Sequence, residues 1–554
     1  MLKQLFIFII ILWAKGNLLF AQHISDFVSL SPGVQDANFH LPSTHSFQYI
    51  IEFGDSLSEG GTLPDRCDFT GYVPINGSSA NGFLSINSET NHGGVTILDI
   101  ILNQRLLKWI VKGSEAVDFE LVGGTAKNCS GAVTPWGTII SCEETTRGDK
   151  NGDGYNDLGW AVEIDPVTRQ VIDQNGGLTG GDKLWSLGNF KHENAVIHAN
   201  RRTVYQGVDD TNGYLYKFVA DVAEDLSSGL LYVYKGSKMG SGNWIQLNNS
   251  TATEQNSVLS QSANANATVF SGVEDVEINP IDNKIYLAVK SEDRVYRFDD
   301  SDPITGITVT NFETYVGGAS YEINDGSNSV VEPWGTGNDN LIFDDLGNLW
   351  VTQDGDKNYT WIVENGHTQQ SPKVKIFGRS PFGSEPTGIT FTPDYKYLFM
   401  SIQHPSGSNS STTQMDAFRV PRAFNKDVAL VIARKDYLNG VTLSLTDTES
   451  VPSEGGDDSL SIVTTLAKPL TESNYRIYPN PASKSIIIEM NPGLVETTVQ
   501  LFDINGHKTP IVQNGRQPFI EIPTDHLHSG IYFLNLILNG KNRVMERILI
   551  SKIK

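Results

Sequence analysis

Asp339-Asn-Leu-Ile-Phe343, followed after a turn by Gly347-Asn-Leu-Trp-Val-Thr-Gln-Asp354, is a pair of short strands. The first opens on an acid and the second closes on one. Alternating apolar residues bounded by Gly, Asn and Asp are the sequence signature of strands that bury one or both faces. The same pair recurs along the chain. Second strands of this type are Gly82–Glu89, Gly137–Glu144, Arg202–Asp209, Asn283–Lys290, Gly347–Asp354 and Lys396–Gln403. Acid-opened strands precede four of them, beginning at Glu193, Glu274, Asp339 and Glu385.

From about Phe47 to Val420 long helical periodicity is scarce, and turn residues fall every ten residues or so. Units of roughly 50 to 80 residues, each a meander of short strands, predict an all-β fold, a six-bladed β-propeller. In a propeller blade the innermost strand starts on one face and the antiparallel second strand ends on that face. The opening acids Glu193, Glu274, Asp339 and Glu385 therefore share a rim with Glu89, Cys142, Glu143, Glu144, Asp209 and Asp354. So many carboxylates at one channel mouth repel one another unless cations lie among them. The rim is thus a candidate multi-metal site.

Cys142-Glu143-Glu144 is the most chemically loaded stretch of that rim. Alone it reads as a surface turn. Within the repeat it combines a soft thiolate with hard oxygen donors, a set suited to a mixed metal centre. Strand alternation predicts Glu144 on the side of Cys142. A separate cluster, Asp149, Asn151, Asp153 and Asp157, places oxygens at alternate positions around Gly154, like the start of an EF-hand loop. Trp160 stands where that loop would carry its distal Glu, so a structural calcium loop away from the reaction centre is expected.

The chain has 554 residues and a formal net charge of -23 from 64 acids and 41 bases. That length holds more than one domain, and the charge argues against nucleic-acid binding. Residues 1–21 read as a secretory signal peptide: Lys3, an apolar run from Leu5 to Trp13, and Phe20-Ala21 before Gln22. No other segment is apolar enough to span a membrane. With three cysteines the chain is no disulfide scaffold; Cys67 and Cys129 could pair and leave Cys142 free. The expected domains are a propeller at 22–440, a Ser-, Thr-, Asp- and Gly-rich flexible linker at 441–472, and a small β-sandwich-like module at 473–554.

Cys67-Asp-Phe-Thr-Gly-Tyr-Val73, Asn128-Cys-Ser-Gly-Ala-Val-Thr-Pro-Trp-Gly137, Phe190-Lys-His-Glu-Asn194, Asp209-Asp210 with Tyr214–Phe218, Glu274–Glu277, Glu385-Pro-Thr-Gly388 and Ile402–Pro405 together resemble the PhoX-type alkaline phosphatases. The resemblance implies a six-bladed propeller that hydrolyses phosphomonoesters with Fe(3+) and Ca(2+). It implies Cys142 as iron thiolate, Cys142 and Glu385 as catalytic, and Glu144, Glu193, Glu274 and Glu385 as carboxylate ligands. Glu89, Glu143, Asp209 and Asp210 are further implied ligands. Gly272-Val273 stands where the family pattern has Arg-Pro, and Ser88 where it often has His. Arg379, Lys217 and Arg147 are candidate phosphate-binding cations.

The tail motifs Tyr478-Pro-Asn-Pro-Ala482, Leu501-Phe-Asp-Ile-Asn-Gly506 and Ser529-Gly-Ile-Tyr-Phe533 resemble type IX secretion sorting domains. That resemblance implies the type IX machinery as partner and a secreted or cell-surface location, the outer membrane included. The expected molecule is a monomeric, exported metal-dependent phosphatase. A calcium-dependent propeller lactonase or phosphotriesterase, and a non-catalytic binding propeller, are the alternatives.

Overall fold

The computed structural model describes residues 22–173 and 183–438, and in the C-terminal region 475–478, 485–490, 497–503, 508–509, 519–524, 527–528, 530–538 and 542–550. The expected signal peptide, the linker and most of the Tyr478–Ala482 motif lie outside the described residues. The chain divides into two compact units, Met1–Leu445 and Thr446–Lys554.

The larger unit is all-β and propeller-like. Four antiparallel four-stranded sheets are separate. The first runs Cys67–Pro74, Asn81–Ser88, Val95–Asn103, Lys108–Ala116. The second runs Asn128–Val133, Ile139–Glu143, Ala161–Asp165, Gln170–Val171. The third runs Asn338–Phe343, Leu349–Gln353, Tyr359–Val363, Val374–Arg379. The fourth pairs Glu385–Phe391, Tyr397–Gln403 and Val428–Arg434 with the N-terminal strand His45–Glu52, His45 lying opposite Arg434. The N-terminal strand thus pairs with a strand more than 300 residues later, which ties the two ends of the unit together. A nine-stranded sheet holds two further meanders, His192–Gly236 and Val273–Gly317, joined through the strand Gly240–Gln246.

Each meander begins with an opening strand, and these strands pack against one another in a closed cycle. The cycle runs Cys67–Pro74, Asn128–Val133, His192–Ile197, Val273–Ile278, Asn338–Phe343, Glu385–Phe391 and back to the first. Their starts therefore converge on one axis.

Apolar residues of both faces fill the space between neighbouring sheets. Trp350, fully buried, packs edge-on against Phe377 and Phe391 at ring-centroid distances of 4.7 and 5.2 Å. Truncating such a residue to Ala costs about 3–5 kcal/mol. Among the described residues the α-helices are Ala252–Asn256 and Val258–Asn264, and no helix is long and apolar enough to cross a membrane.

The smaller unit has a three-stranded sheet, Tyr475–Tyr478, Ser485–Met490 and Phe519–Pro523. Its second sheet is four-stranded, with Thr497–Asp503 and Gly530–Leu538 central. Ile486, Ile488, Ile520 and Ile522 of the first share one apolar cluster with Val499, Leu501, Leu534 and Ile548 of the second.

Candidate metal centre

Two registers of the repeat build the site. The first is the start of the opening strands. Asp68, Cys129, Glu193, Glu274 and Asp339 are each the second residue of such a strand, and Glu385 is the first residue of another. At Asp68, Cys129, Glu193, Glu274 and Asp339 the ladder to the second strand shifts register. A bulge leaves the extra residue unpaired and re-aims its side chain, here toward the axis.

The second register is the first residue beyond each second strand: Glu89, Glu144, Asp209, Lys290, Asp354 and His404. Backbone bonds hold this turn. The amides of Glu89, Glu144, Lys290 and Asp354 donate to the carbonyls of Arg66, Lys127, Gly272 and Gly337 at 2.8–2.9 Å. All four acceptor residues have positive φ, 54°, 51°, 79° and 79°. Gly adopts that conformation without a Cβ clash. Arg66 and Lys127 adopt it with a cationic side chain attached.

These twelve residues, with Arg66 and Gln403, line a cavity of about 230 Å³. Cys129 Sγ lies 3.1 Å from Asp68 Oδ2 and 3.0 Å from Glu193 Oε1. Three sets of donor atoms lie within 4.8 Å of one another: Asp68–Glu89–Cys129, Cys129–Glu144–Glu193, and Glu193–Glu274–Asp339. The buried Glu193 Oε2 has no hydrogen-bond partner.

Burial and mutual repulsion push six of these acids up. Glu144 reaches about 8 through burial and the charges of Glu89 and Asp209. Asp68 reaches about 6 through burial and Glu89, and burial raises Glu385 to about 7. Glu193, Glu274 and Asp339 are driven well above the carboxylate range by burial and neighbouring acids, and the Cys129 thiol is raised likewise. Groups in such surroundings shed protons readily only to a bound cation. A thiol and converging carboxylates with an orphaned oxygen fit a metal centre built from soft and hard donors.

Of the residues expected at the rim, Glu89, Glu144, Glu193, Asp209, Glu274, Asp339, Asp354 and Glu385 come together there. Others do not. Cys142 is fully buried in an apolar cluster with Ile140, Ala161, Phe190 and Val208, and burial raises its thiol. It is Cys129 that lies among the acids. Glu143 is fully buried away from the cavity. It accepts from Lys183 Nζ at 2.8 Å and from the Ala126, Gly159 and Trp160 amides at 3.1 Å. Alternation failed because Glu144 lies past the strand end, where the chain turns into the rim.

Asp210 is half-exposed and pairs with Lys191 at 3.2 Å. No disulfide forms: Cys67 is buried, free, in the core cluster of Leu84 and Ile86. The expected calcium loop has its oxygens otherwise engaged. Asp149 accepts from the Gly152 and Gly154 amides at 2.6 and 2.9 Å, and Asp153 accepts from Asn151 at 2.8 Å. Asp157 pairs with Arg147 at 3.0 Å, so a guanidinium already serves it.

The candidate phosphate cations are elsewhere too. Lys217 is buried against Asp300 at 2.7 Å, and Arg379 is in a fourth, outer strand. Arg66, exposed at the cavity and without an ion pair among the described residues, was missed, as were Asp68 and Cys129. The available signal was the register itself, since each stands at the start of an opening strand like the acids already recognised.

Residues 107–406 match the family model described as alkaline phosphatase PhoX. The chain belongs to the alkaline phosphatase PhoX family. As a member it is a phosphoric monoester hydrolase. Residues 476–551 match the secretion system C-terminal sorting domain, which marks the chain for export. Among solved structures, Pseudomonas fluorescens PhoX in complex with vanadate, a transition state analogue, is 21% identical with a TM-score of 0.55, over 74% of this chain and 98% of that one. That likeness carries the fold. A protein of Bacteroides uniformis, provisionally assigned as a 6-phosphogluconolactonase, is 12% identical with a TM-score of 0.36, over 70% and 96% of the chains, too distant to bear on the argument. No curated protein matches.

Proposed function

We propose that this chain is an exported phosphomonoesterase whose reaction centre is the axial ring of Cys129 and carboxylates, loaded with iron and calcium. The observation that carries the reading is Cys129 Sγ within 3.1 Å of both Asp68 and Glu193, in a ring of acids raised by burial. The thiol and its nearest oxygens suit a ferric ion, and the all-carboxylate set Glu193–Glu274–Asp339 suits calcium. Bound metal ions supply charge neutralisation of the phosphate and activation of the attacking oxygen.

The chain's own residues would do the rest. The Arg66 guanidinium, exposed at the cavity, is placed to take phosphate oxygens in a bidentate grip. Lys127, 2.8 Å from Glu89, adds positive charge on the same side. His404 Nε2 holds a proton toward Glu385 Oε1 at 3.3 Å; that hydrogen bond and the Glu385 charge hold the imidazole up to about 9. The vanadate in the Pseudomonas protein supports a phosphoryl-transfer site in this fold.

The six four-strand meanders are taken as six blades. The domain reading is a leader at 1–21, the propeller at 22–440, a linker at 441–472 and a β-sandwich sorting domain at 473–554. Its type IX route would end in release or attachment at the outer membrane. The test is hydrolysis of p-nitrophenyl phosphate by chelator-stripped protein with iron and calcium restored. Activity that returns only with metal supports the reading, and no activity under any metal supplement contradicts it.

A further inference from the structure

The ring is not uniform. Glu89, Glu144, Asp209 and Asp354 are carboxylates at one register of the repeat, but Lys290 holds the same register in its own meander. Its place is fixed by the backbone. The Lys290 amide donates to Gly272 O at 2.8 Å, beside the start of the Glu274 strand. Lys290 Nζ lies 3.4 Å from Glu274 Oε1 and 3.2 Å from Asp354 Oδ2. Asp339 and Glu385 line the same cavity beside it. Four carboxylates of three meanders thus face one protein cation.

The three donor sets within metal-ligand reach enter this sector only at its edge, through Glu274 and Asp339. They use Asp68, Glu89, Cys129, Glu144, Glu193, Glu274 and Asp339, and none includes Asp354 or Glu385. Asp354 is paired with Lys290 and Glu385 with His404, while Lys290 also reaches Glu274 of the third set.

We propose that Lys290 is a resident cation standing in a metal position of the ring, and so sets how many metal ions this chain binds. The inference rests on the ring being a metal site. An ammonium balances one charge through three donors, whereas calcium balances two and takes six to eight oxygens at 2.3–2.6 Å. Removing the ammonium without replacement leaves Glu274, Asp339, Asp354 and Glu385 facing each other with His404 as their remaining protein cation. A hydrated calcium ion is the species that would relieve this arrangement.

The test is elemental analysis of full-length wild type, Lys290→Met, Lys290→Gln and Lys290→Arg. Each is stripped with chelator, equilibrated with iron and calcium and freed of unbound metal. Lys290→Met and Lys290→Gln should each hold about one calcium ion per chain more than wild type, with Lys290→Arg unchanged. Their melting temperatures should rise more on calcium addition than that of wild type. Equal metal content in all four proteins would overturn the inference. So would failure of both neutral variants to fold in calcium, since calcium should replace the lost charge. A wild type devoid of metal would instead remove the metal-site reading, and the gain in the variants would still be scored against zero.

Discussion

Cys129 and Glu193 open neighbouring strands, and the Cys129 thiol lies 3.0 Å from the Glu193 carboxylate. Both sit at the second position of a strand and both occupy a bulge. The contact between them is the junction of two donor sets, one around Asp68 and one around Glu274. Loss of either residue should therefore disturb metal on both sides of the ring.

Metal removal should make stability depend on pH. Asp68, Glu144, Glu193, Glu274, Asp339 and Glu385 bind protons more tightly folded than unfolded, Glu144 moving from an ordinary 4.5 to about 8. Folding of the stripped protein is then favoured at low pH and weakened as pH rises from about 4.5 through about 8. Melting temperatures of the stripped chain should fall across that window, and added iron and calcium should flatten the trend. A stripped protein equally stable at pH 5 and 8 would count against the raised acids.

Lys183→Met should be severe. Lys183 and Glu143 are 4% and 0% exposed, and removing the lysine leaves an uncompensated buried carboxylate. Breaking such a pair costs about 3–5 kcal/mol. Denaturant unfolding of Lys183→Met against the Lys183→Met, Glu143→Gln double variant is the check. The double variant should recover part of the loss, and metal content should be untouched in whichever of the two folds.

Arg66→Ala should act on substrate and not on metal. We expect KM for p-nitrophenyl phosphate to rise about tenfold, the scale of one charge-assisted contact, with iron and calcium unchanged. Arg66→Lys should recover little if the grip is bidentate. An unaltered KM would remove Arg66 from the substrate site.

The propeller-like repeat is legible in the chain because period-two apolar runs end at turn residues, and four ring acids are legible because they begin such runs. Asp68 sits at the same register as an acid and is open to the same reading, whereas Cys129 puts a thiol where the other opening strands carry a carboxylate. Cys142-Glu143-Glu144 looks like one site and resolves into three fates. Cys142 packs in the core, Glu143 meets Lys183, and Glu144 enters the ring. Sequence spacing does not report which residue of a strand end faces the axis, because bulges and positive-φ turns reset the alternation. Nor does it report that Arg147 serves Asp157, a partner ten residues away.

The most direct measurement is iron content and p-nitrophenyl phosphate turnover of Cys129→Ser beside Cys142→Ser. Cys129→Ser should lose iron and at least about 100-fold in turnover. Cys142→Ser should keep both, at a cost confined to about 1–3 kcal/mol of stability for a hydroxyl placed in an apolar cluster. Iron and activity retained in Cys129→Ser but lost from folded Cys142→Ser would contradict the account.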